Sequence, residues 1–144
     1  MRSKIFAPKF LTLAVTTIVA GCATGGPMPD LVPLSINPDL GPVGYCQRSP
    51  GQFTVTVKNQ GGVEASVSIV QVEFLPGGSR TVGLFGPGPS GSLPPGVAWD
   101  VQFLDPPLAP CFNPDCGFRI TVDSANQVSE SNESNNVVNG RCIG

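Results

Sequence analysis

The sequence contains no histidine, the side chain that serves most often as a general base, a proton shuttle or a transition-metal ligand. Its serines therefore have no histidine to accept a proton, and Lys58 is the only lysine after the first nine residues. A two-carboxylate glycosidase stays open as an alternative, but the acidic residues lie mostly in predicted turns and on polar faces. We predict that the protein is not an enzyme and needs no cofactor.

Basic residues are scarce, and their positions argue against a nucleic-acid partner. The chain has eight Lys and Arg residues, and three of them, Arg2, Lys4 and Lys9, lie in a leader that we expect to be removed. The remaining chain holds five basic and ten acidic side chains, a net charge of −5. We therefore predict no nucleic-acid partner, because such a domain is repelled by phosphate backbones.

The apolar run in the leader is too short to cross a bilayer. Residues 10–20 form an eleven-residue apolar run after the basic residues, which is the pattern of a secretory signal. The run closes on Val19-Ala20-Gly21-Cys22, which resembles the lipobox of bacterial lipoproteins. The resemblance implies that residues 1–21 are a signal peptide and that Cys22 receives a diacylglycerol.

The predicted lipid defines the place of the protein in the cell. We expect residues 22–29 to be the lipidated cysteine and a flexible tether, and the protein to be anchored in the bacterial cell envelope. Ala23 in place of aspartate favours the outer membrane, again by resemblance to lipoproteins. The alternative is an ordinary secretory signal that is cleaved near Ala20 or Ala23.

No window of the sequence sustains a helical pattern, whereas short stretches of alternating apolar and polar residues recur between glycine- and proline-rich turns. We therefore predict an all-β fold, an immunoglobulin-like antiparallel β-sandwich of about seven strands. A change of phase between Ile69 and Val70 predicts a bulge or burial on both faces, and Trp99 and the phenylalanines are expected to fill the core. The predicted strands cover residues 31–36, 52–59, 65–74, 81–85, 97–103, 118–122 and 137–143.

The cysteines indicate an oxidising compartment. Once Cys22 is lipidated, an even number remains, and four cysteines allow three connectivities. We favour Cys111 with Cys116, which would close a proline-rich loop, and Cys46 with Cys142, which would close nearly the whole domain. A zinc site is the alternative, although the sequence has neither histidine nor a C-x-x-C pair.

The segment 117–138 carries a family resemblance. From Asn126 it reads Asn-x-Val-x-Glu-Ser-Asn-Glu-x-Asn-Asn, which resembles the closing signature of the CARDB family, the cell-adhesion-related domain of bacteria. Residues 57–61 and 93–101 resemble two earlier segments of that family. The resemblance implies an immunoglobulin-like module at residues 30–144 and a role in adhesion.

The same segment allows two interpretations of its polar residues. Asp, Ser and Asn side chains that cap their own backbone would make it a structural connection, with Val128 inserted into the core. Alternatively Asp123, Glu130 and Glu133 offer oxygen ligands for calcium, although their spacing does not match the EF-hand loop.

These observations predict a binding or adhesion module, anchored by its N-terminal lipid, that recognises a protein or glycan at the cell surface. The alternative is an accessory subunit of a larger envelope complex. The candidate binding regions are the loop 86–95 and the Asn/Glu signature within residues 117–138, because they are long, polar and at strand ends.

Overall fold

The computed structural model describes residues 26–35, 37–46, 52–104 and 115–143, and within them it contains seven strands. Two short 3-10 segments, Pro38–Tyr45 and Pro89–Gly91, interrupt the loops. No helix in the described part of the chain is long and apolar enough to cross a membrane. The strands are β1 (Leu31–Leu34), β2 (Gln52–Asn59), β3 (Ser68–Leu75), β4 (Gly78–Leu84), β5 (Ala98–Leu104), β6 (Asp115–Thr121) and β7 (Val137–Ile143).

The strands form two antiparallel sheets. One has the order β1-β2-β5 and the other the order β4-β3-β6-β7. Every neighbouring pair is antiparallel. The inner faces of the two sheets bury a common apolar core, as in sandwiches whose facing side chains interdigitate. The predicted all-β sandwich of about seven strands is confirmed.

Aromatic rings fill the centre of the core. Phe53 on β2 makes edge-on contacts with Phe74, Phe103 and Phe118, at ring-centre distances of 5.2, 6.4 and 5.1 Å. These rings come from both sheets, so Phe53 packs against residues of both layers. Tyr45 packs edge-on against Phe118 from the first 3-10 segment, and burial raises the pKa of its hydroxyl to about 12.

The limits of β2 and β7 agree with the sequence-based prediction, but β3 differs from it. Burial alternates without interruption from Ser68 to Phe74, so the predicted bulge or burial on both faces between Ile69 and Val70 is wrong. Ile69 lies half-buried on the outer face. An apolar residue at this position gives the sequence the same pattern as a change of phase. The true break falls at residues 66–67, because Ala65 leaves the sheet to form an isolated bridge with Leu93.

Two aromatic residues that were predicted to be core are exposed. Trp99 lies near one end of β5, which is an edge strand. The alternation of the strand sets the direction of its side chain, but no strand lies beyond β5 to cover it, and Trp99 stays exposed. Phe85 comes directly after β4 and so lies beyond the sheet, next to Gly83 and Gly91. A side chain at Gly83 would collide with the Phe85 ring.

One of the two predicted disulfides is confirmed. Cys46 and Cys142 are bonded, with Cα atoms 5.6 Å apart and a separation of 96 positions in sequence. Cys46 follows the first 3-10 segment and Cys142 lies on β7, so the bond joins the β1–β2 connection to an edge strand. Cys116 is also disulfide-bonded, but Cys111 lies outside the described residues and the Cys111–Cys116 pairing stays a prediction.

Candidate functional site

Three loops and the start of the described chain meet at one end of the sandwich, which we call the N-terminal end. The loops are residues 60–67, 85–97 and 122–136, and they surround residues 26–30. Both candidate binding regions belong to this end. The opposite end carries the β3–β4 turn, the 3-10 segment Pro38–Tyr45 and the last residue of β7.

Asn59, the last residue of β2, connects these loops. It is fully buried, and its Oδ1 accepts hydrogen bonds from the backbone N–H groups of Asp30 (3.2 Å) and Gly61 (3.0 Å). Its Nδ2 donates to the carbonyl oxygens of Val63 (2.8 Å) and Leu93 (2.9 Å). One amide therefore satisfies four backbone groups from three segments of the chain.

The start of the described chain, residues 28–30, is hydrogen-bonded to two loops. Gly62 N–H donates to the Met28 carbonyl (3.0 Å) and Ser131 N–H to the Pro29 carbonyl (2.9 Å). The Asp30 carboxylate accepts from the Gln60 and Asn135 side chains at 3.0 and 2.8 Å. Hydrogen bonding to the body of the domain thus begins at Met28.

Asp123 organises the first part of the 122–136 loop. Its backbone is left-handed, with φ 49°, and its two carboxylate oxygens accept from the N–H groups of Gln127 and Val128, both at 2.9 Å. These bonds close the turn over the core, and Val128 is buried there as predicted. The carboxylate thereby acts as a cap for its own loop.

Glu130 organises the second part of the loop. Its side chain is buried, and its carboxylate accepts from the backbone N–H of Leu31 at the start of β1 and from Asn136 Nδ2 (2.8 Å). Glu133 Oε1 in turn accepts from the Glu130 N–H at 2.8 Å. The Asn/Glu signature is therefore a clamp that fastens the β6–β7 loop to the first strand.

The three carboxylates that were considered for calcium do not converge on a common point with free oxygens. Asp123, Glu130 and Glu133 each accept a hydrogen bond from backbone N–H groups. The part of the chain that the structure describes contains no group of three Cys, Asp or Glu side chains that could hold a metal ion. The geometry favours the interpretation of this segment as turn chemistry.

Burial raises the pKa of Glu130 above its usual value of 4.5, because the charged form loses solvation that its hydrogen bonds only partly replace. The negative charges of Glu133 and Asp123 raise it further. The folded state therefore binds this proton more tightly than the unfolded state does. The stabilisation from Glu130 is complete below pH 4.5 and is lost as the pH rises through the folded-state pKa.

Glu130→Gln is expected to keep the free energy of unfolding within about 1 kcal/mol of the wild type and to remove this pH dependence. The glutamine carbonyl can still accept from Leu31, and its amide can donate to Asn136 Oδ1, a buried oxygen without a partner, if the Asn136 amide turns over. Glu130→Ala should cost about 2–3 kcal/mol, since two buried donors lose their acceptor. Urea unfolding between pH 4 and pH 8 measures both.

The control for the Glu130 variants is Glu64→Gln, since Glu64 is exposed at the same end and is not among the charges that act on Glu130. This variant should leave the pH dependence of stability in place. An unchanged pH profile in Glu130→Gln would show that Glu130 is not the titrating group.

The surface formed by the described residues includes two shallow depressions. One, of about 450 Å³, runs between the loops 60–67 and 85–97. The other, of about 350 Å³, lies on the three-stranded sheet and is lined by Thr56, Ala98, Trp99 and Asp100. In the second, Thr56 Oγ1 donates to Asp100 Oδ1 at 2.6 Å across neighbouring strands. The depression between the loops 60–67 and 85–97 is lined by Glu64, Ser66, Val67, Pro89, Ser90 and Ser92.

The roles of Asp30, Asn59 and Asn136 were not predicted from the sequence. Asn59 stood in a segment with a family resemblance, and an asparagine two residues before a glycine is a usual turn residue. Nothing local indicated that its amide would reach Leu93, because that contact spans 34 residues of sequence.

The strand order and pairing define the class of protein. Two antiparallel sheets of three and four strands, with loops clustered at the ends, make a β-sandwich module consistent with the immunoglobulin-like architecture. The chain belongs to the CARDB family, which matches residues 28–140. No curated protein matches the chain.

Solved structures similar to this chain include domains from Methanosarcina acetivorans and Pyrococcus furiosus. One is a domain of a protein from Methanosarcina acetivorans whose name assigns it to the cell surface; it is 26% identical, with a TM-score of 0.57 over 81% of this chain and 91% of that one. The other is the CARDB domain of the PF1109 protein from Pyrococcus furiosus, solved in complex with di-metal ions. It is 24% identical, with a TM-score of 0.52 over 81% of this chain and 88% of that one.

Proposed function

We propose that this chain is a non-catalytic binding module of the bacterial cell envelope, held to the membrane by a lipid on Cys22, that recognises a protein or a glycan. The observation that carries the proposal is the Cys46–Cys142 disulfide, because structural disulfides persist in oxidising compartments outside the cytoplasm. Family membership and the cell-surface relative from Methanosarcina acetivorans agree with that location.

The lipid anchor rests on the leader sequence and on the short stretch between it and the domain. Cys22 lies outside the described residues, and hydrogen bonding to the domain begins at Met28. A lipoprotein with so short a connection keeps its domain next to the membrane. We propose the outer membrane as its location, where the organism has one, because alanine follows Cys22.

Growth of cells with radiolabelled palmitate tests the anchor. The wild-type chain is expected to carry the label and to sediment with the outer membrane. The Cys22→Ser chain should lose the label, since the thiol that accepts the lipid is gone. A wild-type chain that stays unlabelled contradicts the anchor.

Two exposed apolar side chains at the opposite end favour a protein partner over a glycan. Leu75 is 54% exposed and Ile143 is 72% exposed. Exposed apolar side chains grouped at one end are a usual mark of protein contact sites. They also support the second candidate function, an accessory subunit docked to a larger envelope complex.

Cross-linking in intact cells distinguishes the two functions. A stoichiometric product with one envelope protein indicates an accessory subunit, whereas weak products indicate an adhesion module with transient contacts. The double variant Leu75→Asp/Ile143→Asp should lose the product, and the matched surface change Thr81→Asp on β4 should not. Products that persist in the double variant would place the partner contact elsewhere.

A further inference from the structure

We infer that the N-terminal end of the sandwich rests on the bilayer and that the exposed rings of Phe85 and Trp99 enter the lipid interface there. A lipid surface is thus the partner that we assign to these two exposed rings. The inference rests on the proposed lipid anchor at Cys22. It adds an orientation and a second membrane contact that the anchor alone does not require.

The first step is the length of chain between the lipid and the domain. Gly26 is only four positions after Cys22, and an extended chain spans at most about 3.6 Å per position, or roughly 14 Å in total. From Met28 onward the backbone is hydrogen-bonded to the loops of the N-terminal end. This end therefore cannot move far from the bilayer.

The second step is the position of the two aromatic residues. Trp99 pairs with Val57, two residues from the end of β2, so it lies only about 7 Å inside the edge of the sheet. Phe85 lies just beyond the end of β4, whose last residue, Leu84, pairs with the first residue of β3. Both side chains are thus at the level of the loops that surround the chain start.

The third step is exposure. Trp99 is 42% exposed and Phe85 is 61% exposed, although both are large apolar side chains. The Phe85 ring packs over Gly83, where a side chain would collide with it, and lies close to Gly91. Trp is enriched at membrane–water interfaces, where its amphipathic ring lies at headgroup level, and Phe is typical of the apolar faces that enter the interface beside it.

The charge of this end indicates which forces are involved. Among the basic residues that the structure describes, only Lys58 lies near the N-terminal end, whereas Glu64 and Glu133 are exposed there. Attraction to anionic lipid headgroups is therefore weak. The contact must come from apolar burial and should be insensitive to salt.

The orientation places the opposite end away from the membrane. β3 runs eight residues from Ser68 to Leu75, so Leu75 lies about 24 Å further out than the start of the strand. The exposed Leu75 and Ile143 side chains would then face the space where a protein partner can reach them.

Brominated lipids test the inference with the complete lipidated chain in phosphatidylcholine vesicles. Trp99 is the only tryptophan, so its fluorescence reports the depth of one position. Two further single-tryptophan chains carry Phe85→Trp or Leu75→Trp together with Trp99→Phe. Bromine near the headgroups is expected to quench Trp99 and the Phe85→Trp chain roughly twofold, as for rings at headgroup level, and to leave the Leu75→Trp chain unquenched.

Each other outcome overturns the inference. Equal quenching of all three chains would mean that the domain lies flat, and quenching that disappears at high salt would mean an electrostatic contact. No quenching in chains that float with the vesicles leaves the anchor intact and assigns the aromatic residues to a protein partner. Chains that neither float nor take up palmitate remove the anchor itself, and with it the inference.

Discussion

Replacing Cys46 and Cys142 together with alanine is expected to lower the free energy of unfolding by about 4–5 kcal/mol, the value of the chain-entropy model for a loop of this length. The bond closes 96 residues of sequence, which is most of the domain. Without it the unfolded chain gains conformations that the disulfide forbids. Urea unfolding of a form that begins at Gly26 measures the change.

Reduction of the wild type provides the control for the cysteine variant. Because Cys116 is also disulfide-bonded, a reductant acts on more than one bond in the wild type. The reductant should therefore destabilise the wild type by at least as much as the double substitution does. A variant within about 1 kcal/mol of the oxidised wild type would mean that the unfolded chain is already compact enough to make the bond redundant.

Asn59→Ala is expected to cost about 3 kcal/mol, since its amide satisfies four backbone groups at a fully buried position. Alanine leaves the N–H groups of Asp30 and Gly61 and the carbonyl of Val63 without this partner. Leu93 keeps a second donor, the Ala65 N–H at 3.0 Å. Hydrogen exchange at Asp30 and Gly61 should become faster, which would place the damage at the N-terminal end.

The matched control for Asn59 is Asn132→Ala. Asn132 is exposed, and its Oδ1 accepts only from Ser134 within its own turn, so the loss should stay below about 1 kcal/mol. A similar loss in both variants would mean that Asn59 acts as an ordinary turn residue and not as the connection between loops.

The composition of the Asn/Glu signature allowed either a calcium site or a structural role, and the geometry favours the structural role. Asp123 and Glu130 cap backbone N–H groups, and the Glu130 contact crosses from the β6–β7 loop to β1, 99 residues away in sequence. A motif rich in carboxylates and amides can thus define a fold without defining a ligand. The calcium alternative and the clamp use the same residues, and only the positions of the N–H groups distinguish them.

Much of the architecture could be predicted because its signals are local. Alternation along β2 and β7 places their limits correctly, since side chains of a strand point to opposite faces at every second residue. Export and an even number of cysteines predicted disulfides, and Cys46 with Cys142 was the pairing favoured among three connectivities. Ile69 shows where the same reasoning fails, because an apolar residue on an outer face resembles a change of phase.

The sequence by itself determined the class of fold, the main strands and the chemistry of the turns, because periodicity and turn preference act over a few residues. Only the tertiary structure decided that residues 26–30, Asn59 and Glu130 meet at one end, and that Trp99 and Phe85 are exposed at that same end. Those facts depend on the order of strands in each sheet and on which strands form its edges. No short segment contains that information, because it arises when segments distant in sequence pack together.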